Sequence, residues 1–184
     1  KLSERVSLQL QYKHKNKPVD ELSTDRFGRS MELAGERRQT NYRATLEFRS
    51  SIAFRSRTRL EVVNVSYQHV PTIERGFLAF QDIRIYPLPN LLVDARIIVF
   101  ETDSFDSRIY EFESDFRGSF ANPALFGKGV RWYLLVRYEI GNFIDVWVKY
   151  SQTVKDGVKV ISSGSSLIQG SLDNRVSIQV DVVL

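Results

Sequence analysis

Three arginines at alternate positions, Arg55, Arg57 and Arg59, put three guanidinium groups on one side of an extended chain. That spacing suits a row that pairs carboxylates or lines a passage rather than a catalytic centre. Further charges sit at the polar positions of other alternating segments: Arg43, Glu47, Arg49, Glu61, Asp82, Arg84, Asp94, Arg96, Arg131, Arg137, Glu139, Asp145 and Lys149. Together the sixteen define an expected lumen-facing ionic network. It is read in two ways, as the lining of an anion-selective pore or, the favoured reading at this barrel size, as cross-links across a filled interior.

Other chemistry has little material. The chain has two histidines, His14 and His69, and no cysteine, so disulfides, thiolate metal sites and thiol nucleophiles are excluded and a histidine-based triad has few components. Ser66 precedes His69 by three residues, a spacing that some lipid-hydrolysing barrels would use, although a histidine at a loop end is more often simply solvated. Glu111 and Glu113 point to one side of a strand, yet glycoside hydrolysis needs opposed carboxylates at a set separation, which a sequence does not show. Gly127 and Gly129 in FGKGVRW fit a turn entering a strand better than a phosphate loop. Asn64-Val65-Ser66 matches a glycosylation acceptor by chance-level similarity. The expectation is a chain that is not an enzyme, with no cofactor and no metal.

The elements that would carry these charges follow a two-residue period, and helical spacing is hard to find. Val6, Leu8, Leu10 and Tyr12 oppose Ser7, Gln9, Gln11 and Lys13; at the far end Val176, Ile178, Val180, Val182 and Leu184 oppose Ser177, Gln179 and Asp181. Between them the apolar sets are Tyr42 to Phe48, Phe54 to Val62, Ile83 with Ile85, Val93 to Val99, Val130 to Tyr138 and Ile144 to Tyr150. Ser107 to Asp115 is strand-like with ambiguous facing. This predicts about nine strands, within a range of about 8 to 10, each of roughly 8 to 12 residues, near the length that crosses a bilayer at a tilt. An odd number points to a missed strand or to part of a larger barrel.

YPLPN at Tyr86 to Asn90, EIGNF at Glu139 to Phe143 and the Ser50-Ser51 pair read as tight turns. Longer links are expected over Asn16 to Gln39, Gln68 to Arg75, Gly118 to Gly129 and the Gly- and Ser-rich Lys155 to Asn174, with a short helix within Thr24 to Arg37. Short links at one end and long ones at the other suit an outer-membrane barrel. The whole of residues 1–184 is treated as one barrel domain or barrel fragment.

Composition sets bounds. Twenty-six Lys and Arg against 22 Asp and Glu give +4, too small an excess to argue for nucleic acid. The chain is rich in aromatics, with 12 Phe, 8 Tyr and 2 Trp, which favours strands. No run approaches the roughly 20 apolar residues of a spanning helix, and the start at Lys1 lacks a secretory signal, which is taken as removed or upstream.

Which face looks outward separates the membrane reading from its alternative, a soluble all-β ligand- or carbohydrate-binding module such as a lipocalin-like barrel or sandwich. Long ionic rows of mixed sign, and aromatics near strand ends (Tyr12, Tyr42, Phe48, Trp132, Tyr138 and Tyr150), favour a bilayer protein with an interfacial girdle. A last strand alternating to the final residue resembles outer-membrane C-terminal strands, although it ends in Leu184 where those usually carry an aromatic.

The runs FETDSFDSRIYEFESDF (Phe100 to Phe116), GKGVRWYLLVRYEIGNFIDVWVKYSQT (Gly127 to Thr153) and ISSGSSLIQG resemble the C-terminal, strand-rich region of Bacteroidota and Chlorobi outer-membrane proteins described as helix-hairpin-helix, ComEA-related. The likeness covers about the last 110 residues. It implies the barrel portion of a longer protein or envelope assembly; the helix pairs that would grip DNA are not found, so no nucleic acid is expected for this segment. The expected function is a non-enzymatic outer-membrane barrel, porin-like in being structural or channel-like, in contact with outer-membrane lipid and with protein partners in an envelope complex.

Overall fold

The computed structural model describes residues 5–24, 29–141, 143–161 and 168–182. All regular structure among them is β. Twelve strands form: β1 (Val6–Thr24), β2 (Ser30–Ser51), β3 (Phe54–Tyr67), β4 (Ile73–Leu88), β5 (Leu91–Thr102), β6 (Ile109–Tyr110), β7 (Ala124–Leu125), β8 (Lys128–Ile140), β9 (Ile144–Lys155), β10 (Val160–Ile161), β11 (Ile168–Gln169) and β12 (Leu172–Val182). Eight of them make one antiparallel sheet in the order β1-β2-β3-β4-β5-β8-β9-β12. The sheet is open, with β1 and β12 at its edges.

Each wall strand pairs with the next wall strand in the chain, so the connections alternate between the two ends. Short turns lie at one end: Ile52-Ala53, Pro89-Asn90 and the turn at Gly141, whose φ of 62° suits glycine. At the other end lie the tall β1–β2 hairpin, the 68–72 loop, the 103–127 segment and the 156–171 segment.

The alternation read from the sequence places its two sets of side chains on opposite faces. One face is bare and apolar: Leu10 is 74% exposed and Ile178 67%, and Tyr42, Leu60, Phe77, Ile97 and Leu134 are exposed with them. The other face is covered in its middle by the 103–127 segment. Val63, Val65, Leu78, Phe80, Ile98 and Phe100 of β3, β4 and β5 bury against Ile109 and Leu125 of that segment, each burial stabilising by about 1.5–3 kcal/mol. A second cluster joins Tyr133, Leu135 and Trp147, with Phe116 packed on it.

Three expectations are corrected. Ser107 to Asp115 is not a wall strand; it belongs to the segment laid on the sheet, and among the described residues it pairs with its own return through Ile109↔Leu125, Tyr110↔Ala124 and the Glu113↔Ala121 bridge. The wall therefore has eight strands, within the expected range of about 8 to 10. Asn16 to Gln39 is not a long loop, because β1 and β2 stay paired from Val6↔Phe48 up to Thr24↔Ser30: backbone pairing continues after the apolar alternation fades. For the same reason the helix expected within Thr24 to Arg37 is strand over Ser30 to Arg37, while 25–28 lies outside the described residues.

Gly76 shows how closely the segment lies. A Cβ there would come within 2.3 Å of the Ser107 carbonyl oxygen, closer than a side-chain carbon can approach.

Candidate functional site

The covered face holds the chemistry. At its centre Arg96 of β5, itself 3% exposed, reaches Asp82 of β4 at 2.7 Å and Glu111 of the inserted segment at 3.2 Å. Arg57 joins Asp82 at 2.6 Å, and Arg59 grips both oxygens of Glu111 at 2.8 and 3.0 Å. Arg96 also donates to the Phe112 carbonyl at 2.7 Å and stacks 4.3 Å from the centre of the Phe80 ring. One carboxylate from the sheet and one from the segment thus share three guanidinium groups. Burial pushes the Glu111 carboxyl up from the ordinary glutamate range, and Arg59, Arg96 and Arg43 pull it back.

A second staple lies beside it. Glu113, fully buried, accepts from Arg131 Nε at 2.5 Å and Nη2 at 2.9 Å, with Lys149 Nζ at 3.5 Å. Lys149 also donates to the Ser114 carbonyl at 2.8 Å. A third forms around Asp94, which takes Arg84 Nη2 at 2.5 Å, the Tyr133 hydroxyl at 3.1 Å and the Ser114 hydroxyl at 3.1 Å. The Ser104 hydroxyl donates to Glu74 at the segment's start.

Buried charges stay ionised in protein only when paired and hydrogen-bonded. This face meets that condition by drawing Glu111 and Glu113 in from outside the wall. Those two residues, with Ser114 and Tyr133, are the site members that the sequence reading left out of the network. A signal for them existed: the sixteen expected residues comprise ten cations and six carboxylates, and the deficit called for acids from elsewhere.

The expected residues divide by position. Asp82, Arg84, Asp94, Arg96, Arg131 and Lys149 converge with Arg57 and Arg59 under the segment. Arg43 pairs with buried Glu61 at 2.7 Å nearer the first edge. Arg137 bridges Glu139 at 2.6 Å and Asp145 at 3.0 Å beside the short turns. Glu47 and Arg49 form a solvent-facing pair at 2.5 Å, apart from the rest. Arg55 lies within the field of Arg84, Asp82 and Asp94, and its buried Nε has no hydrogen-bond partner among the described residues.

The residues weighed for other chemistry are dispersed. His14 Nδ1 lies 3.1 Å from the Thr40 hydroxyl, and His69 Nε2 3.2 Å from the Ala34 carbonyl. Glu111 and Glu113 share a side, as expected, but each is occupied by cations.

No family model matches the chain, and no curated protein matches it. Among solved structures it is similar to OmpT, an outer membrane protein of Vibrio cholerae, with a TM-score of 0.55 and 9% identity over 98% of this chain and 52% of that one. The chain therefore spans about half the length of that structure, and the likeness is one of fold alone. It also corrects an expectation: the chain was taken to be non-enzymatic, but the likeness to that outer membrane protein is one of fold, and a fold hosts many unrelated functions. The non-enzymatic assignment is not retained.

Proposed function

We propose that this chain is a stretch of the wall of an outer-membrane β-barrel, with its bare face in lipid, its covered face inward, and the 103–127 segment narrowing or filling the interior. The carrying observation is the inversion of faces. Charged side chains are buried and paired on one side while an apolar surface runs across all eight strands on the other. A soluble all-β module would bury that apolar surface and solvate the charges.

Three further features support the reading. Aromatics on the bare face fall in two rows: Tyr12, Tyr42, Phe77, Trp132 and Tyr150, and, toward the short turns, Phe48, Phe54 and Tyr138. Tyr42 and Phe48, like Trp132 and Tyr138, are six residues apart, about 20 Å along a strand, in keeping with girdles flanking an apolar band. All long connections share one end. The free edges of β1 and β12 leave unpaired backbone groups that lipid would penalise by several kcal/mol each, so further strands complete the wall along them; the half-length match to a larger barrel agrees with this.

In this reading the protein is a structural or channel-like component of the outer envelope, with protein partners met at the long connections. Purification with and without detergent, alongside gel migration before and after boiling, tests it. Detergent dependence and a heat-induced shift are expected. A monodisperse, detergent-free protein with no shift would refute it.

A further inference from the structure

Beside the stapled centre lies a region of the covered face that the inserted segment reaches but does not neutralise. Lys13, Lys15 and Lys17 of β1 stand opposite Asn41, Gln39 and Arg37 of β2, and with Arg43 and Arg108 they line an open cavity of about 450 Å³ toward the long-connection end. Two carboxylates border it, both engaged. Glu61 holds Arg43 at 2.7 Å and Asn41 at 3.2 Å; Asp106 takes the Tyr67 hydroxyl at 2.5 Å and lies 3.8 Å from Arg108. Arg37 donates to the Asp106 carbonyl at 2.7 Å. The three lysines have neither hydrogen bond nor ion pair among the described residues.

Alternate positions on a strand are about 7 Å apart, so the lysines form a ladder of ammonium groups along one wall of the cavity. Like charges held together without partners raise a positive potential that concentrates anions, and ammonium groups bind phosphate, sulfate or carboxylate oxygens as point charges.

We propose that this cavity is a binding site for a dissolved anion carrying several phosphate, sulfate or carboxylate groups, held by Lys13, Lys15 and Lys17 with Arg37 and Arg108. The site rests on the reading of the covered face as the barrel interior. Its ligand is a solute rather than a lipid headgroup, because the lysines project opposite the apolar face.

The test is calorimetric titration of the detergent-solubilised full chain with inorganic tripolyphosphate at low salt. The wild type is expected to bind, and Lys13→Gln/Lys15→Gln/Lys17→Gln to weaken binding by about tenfold or more, since several exposed charge contacts are lost together. Arg38→Gln/Lys128→Gln/Lys159→Gln removes equal charge elsewhere and is expected to bind as the wild type does. No binding by the wild type, or equal weakening in both triple variants, overturns the proposal. A heat-modifiable, detergent-dependent protein that fails to bind overturns this site alone; a water-soluble chain that binds keeps the site and refutes the membrane reading.

Discussion

The middle of the sheet and its first strand carry cations on the same face and treat them in opposite ways. From β3 to β9, Arg57, Arg59, Arg96 and Arg131 end on buried carboxylates; on β1, Lys13, Lys15 and Lys17 end in open space. The backbone does not cause the contrast, since both regions belong to one antiparallel ladder. The inserted segment does, because it lays Glu111 and Glu113 over the middle and brings only Asp106 toward β1. One region is built for cohesion, and the other is left with unspent charge.

That contrast fixes an order of effects. The largest belongs to Arg96→Met, which removes the buried guanidinium that Asp82 and Glu111 share, leaving Asp82 to Arg57 and Glu111 to Arg59; the loss of two charge-assisted contacts is expected to cost about 3–5 kcal/mol, read as a lower urea midpoint for the barrel folded in lipid vesicles. An unchanged midpoint would mean the central network adds no cohesion. Next comes Gly76→Ala, whose new methyl group would press on the Ser107 carbonyl; a loss of about 1–3 kcal/mol is expected, along with faster tryptic cleavage after Arg108 or Arg117 as the segment lifts. Cleavage at the wild-type rate would show that the segment does not depend on this contact.

A smaller effect is expected for Tyr133→Phe. It deletes the hydroxyl joining Asp94 and the Ser114 amide at 3.1 and 3.3 Å, worth about 1 kcal/mol. The smallest belongs to the Lys13, Lys15 and Lys17 glutamine triple variant, whose urea midpoint should not fall because those side chains hold nothing together. A marked drop would erase the distinction between the two regions.

The wall was legible because a two-residue period is a direct record of which side each residue faces, as in Tyr42 to Phe48 and Val130 to Tyr138. The inserted segment was not. Ile109, Glu111 and Glu113 alternate with Tyr110, Phe112 and Ser114 just as a wall strand would, and periodicity says which side a residue takes without saying what the backbone pairs with. The tall β1–β2 hairpin was hidden for the converse reason: KHKNKPVDELST lacks apolar alternation, yet its backbone pairs on to Thr24. Sites followed the same rule. Wall charges were found by parity, whereas Glu111 and Glu113 were noticed as a pair and not as the partners of Arg59, Arg96 and Arg131, because that meeting depends on a fold-back that local pattern does not encode.

The chain's two tryptophans fall one on each face: Trp132 on the bare face against Tyr150 at 5.1 Å, Trp147 on the covered face donating to Asp181 at 3.1 Å. The most direct test of the account is therefore fluorescence of the single-tryptophan variants Trp147→Phe and Trp132→Phe in bilayers whose acyl chains carry bromine. Strong quenching of Trp132 and little of Trp147 is the predicted result, and equal quenching of both, or of neither, would contradict the assignment of one face to lipid and the other to the interior.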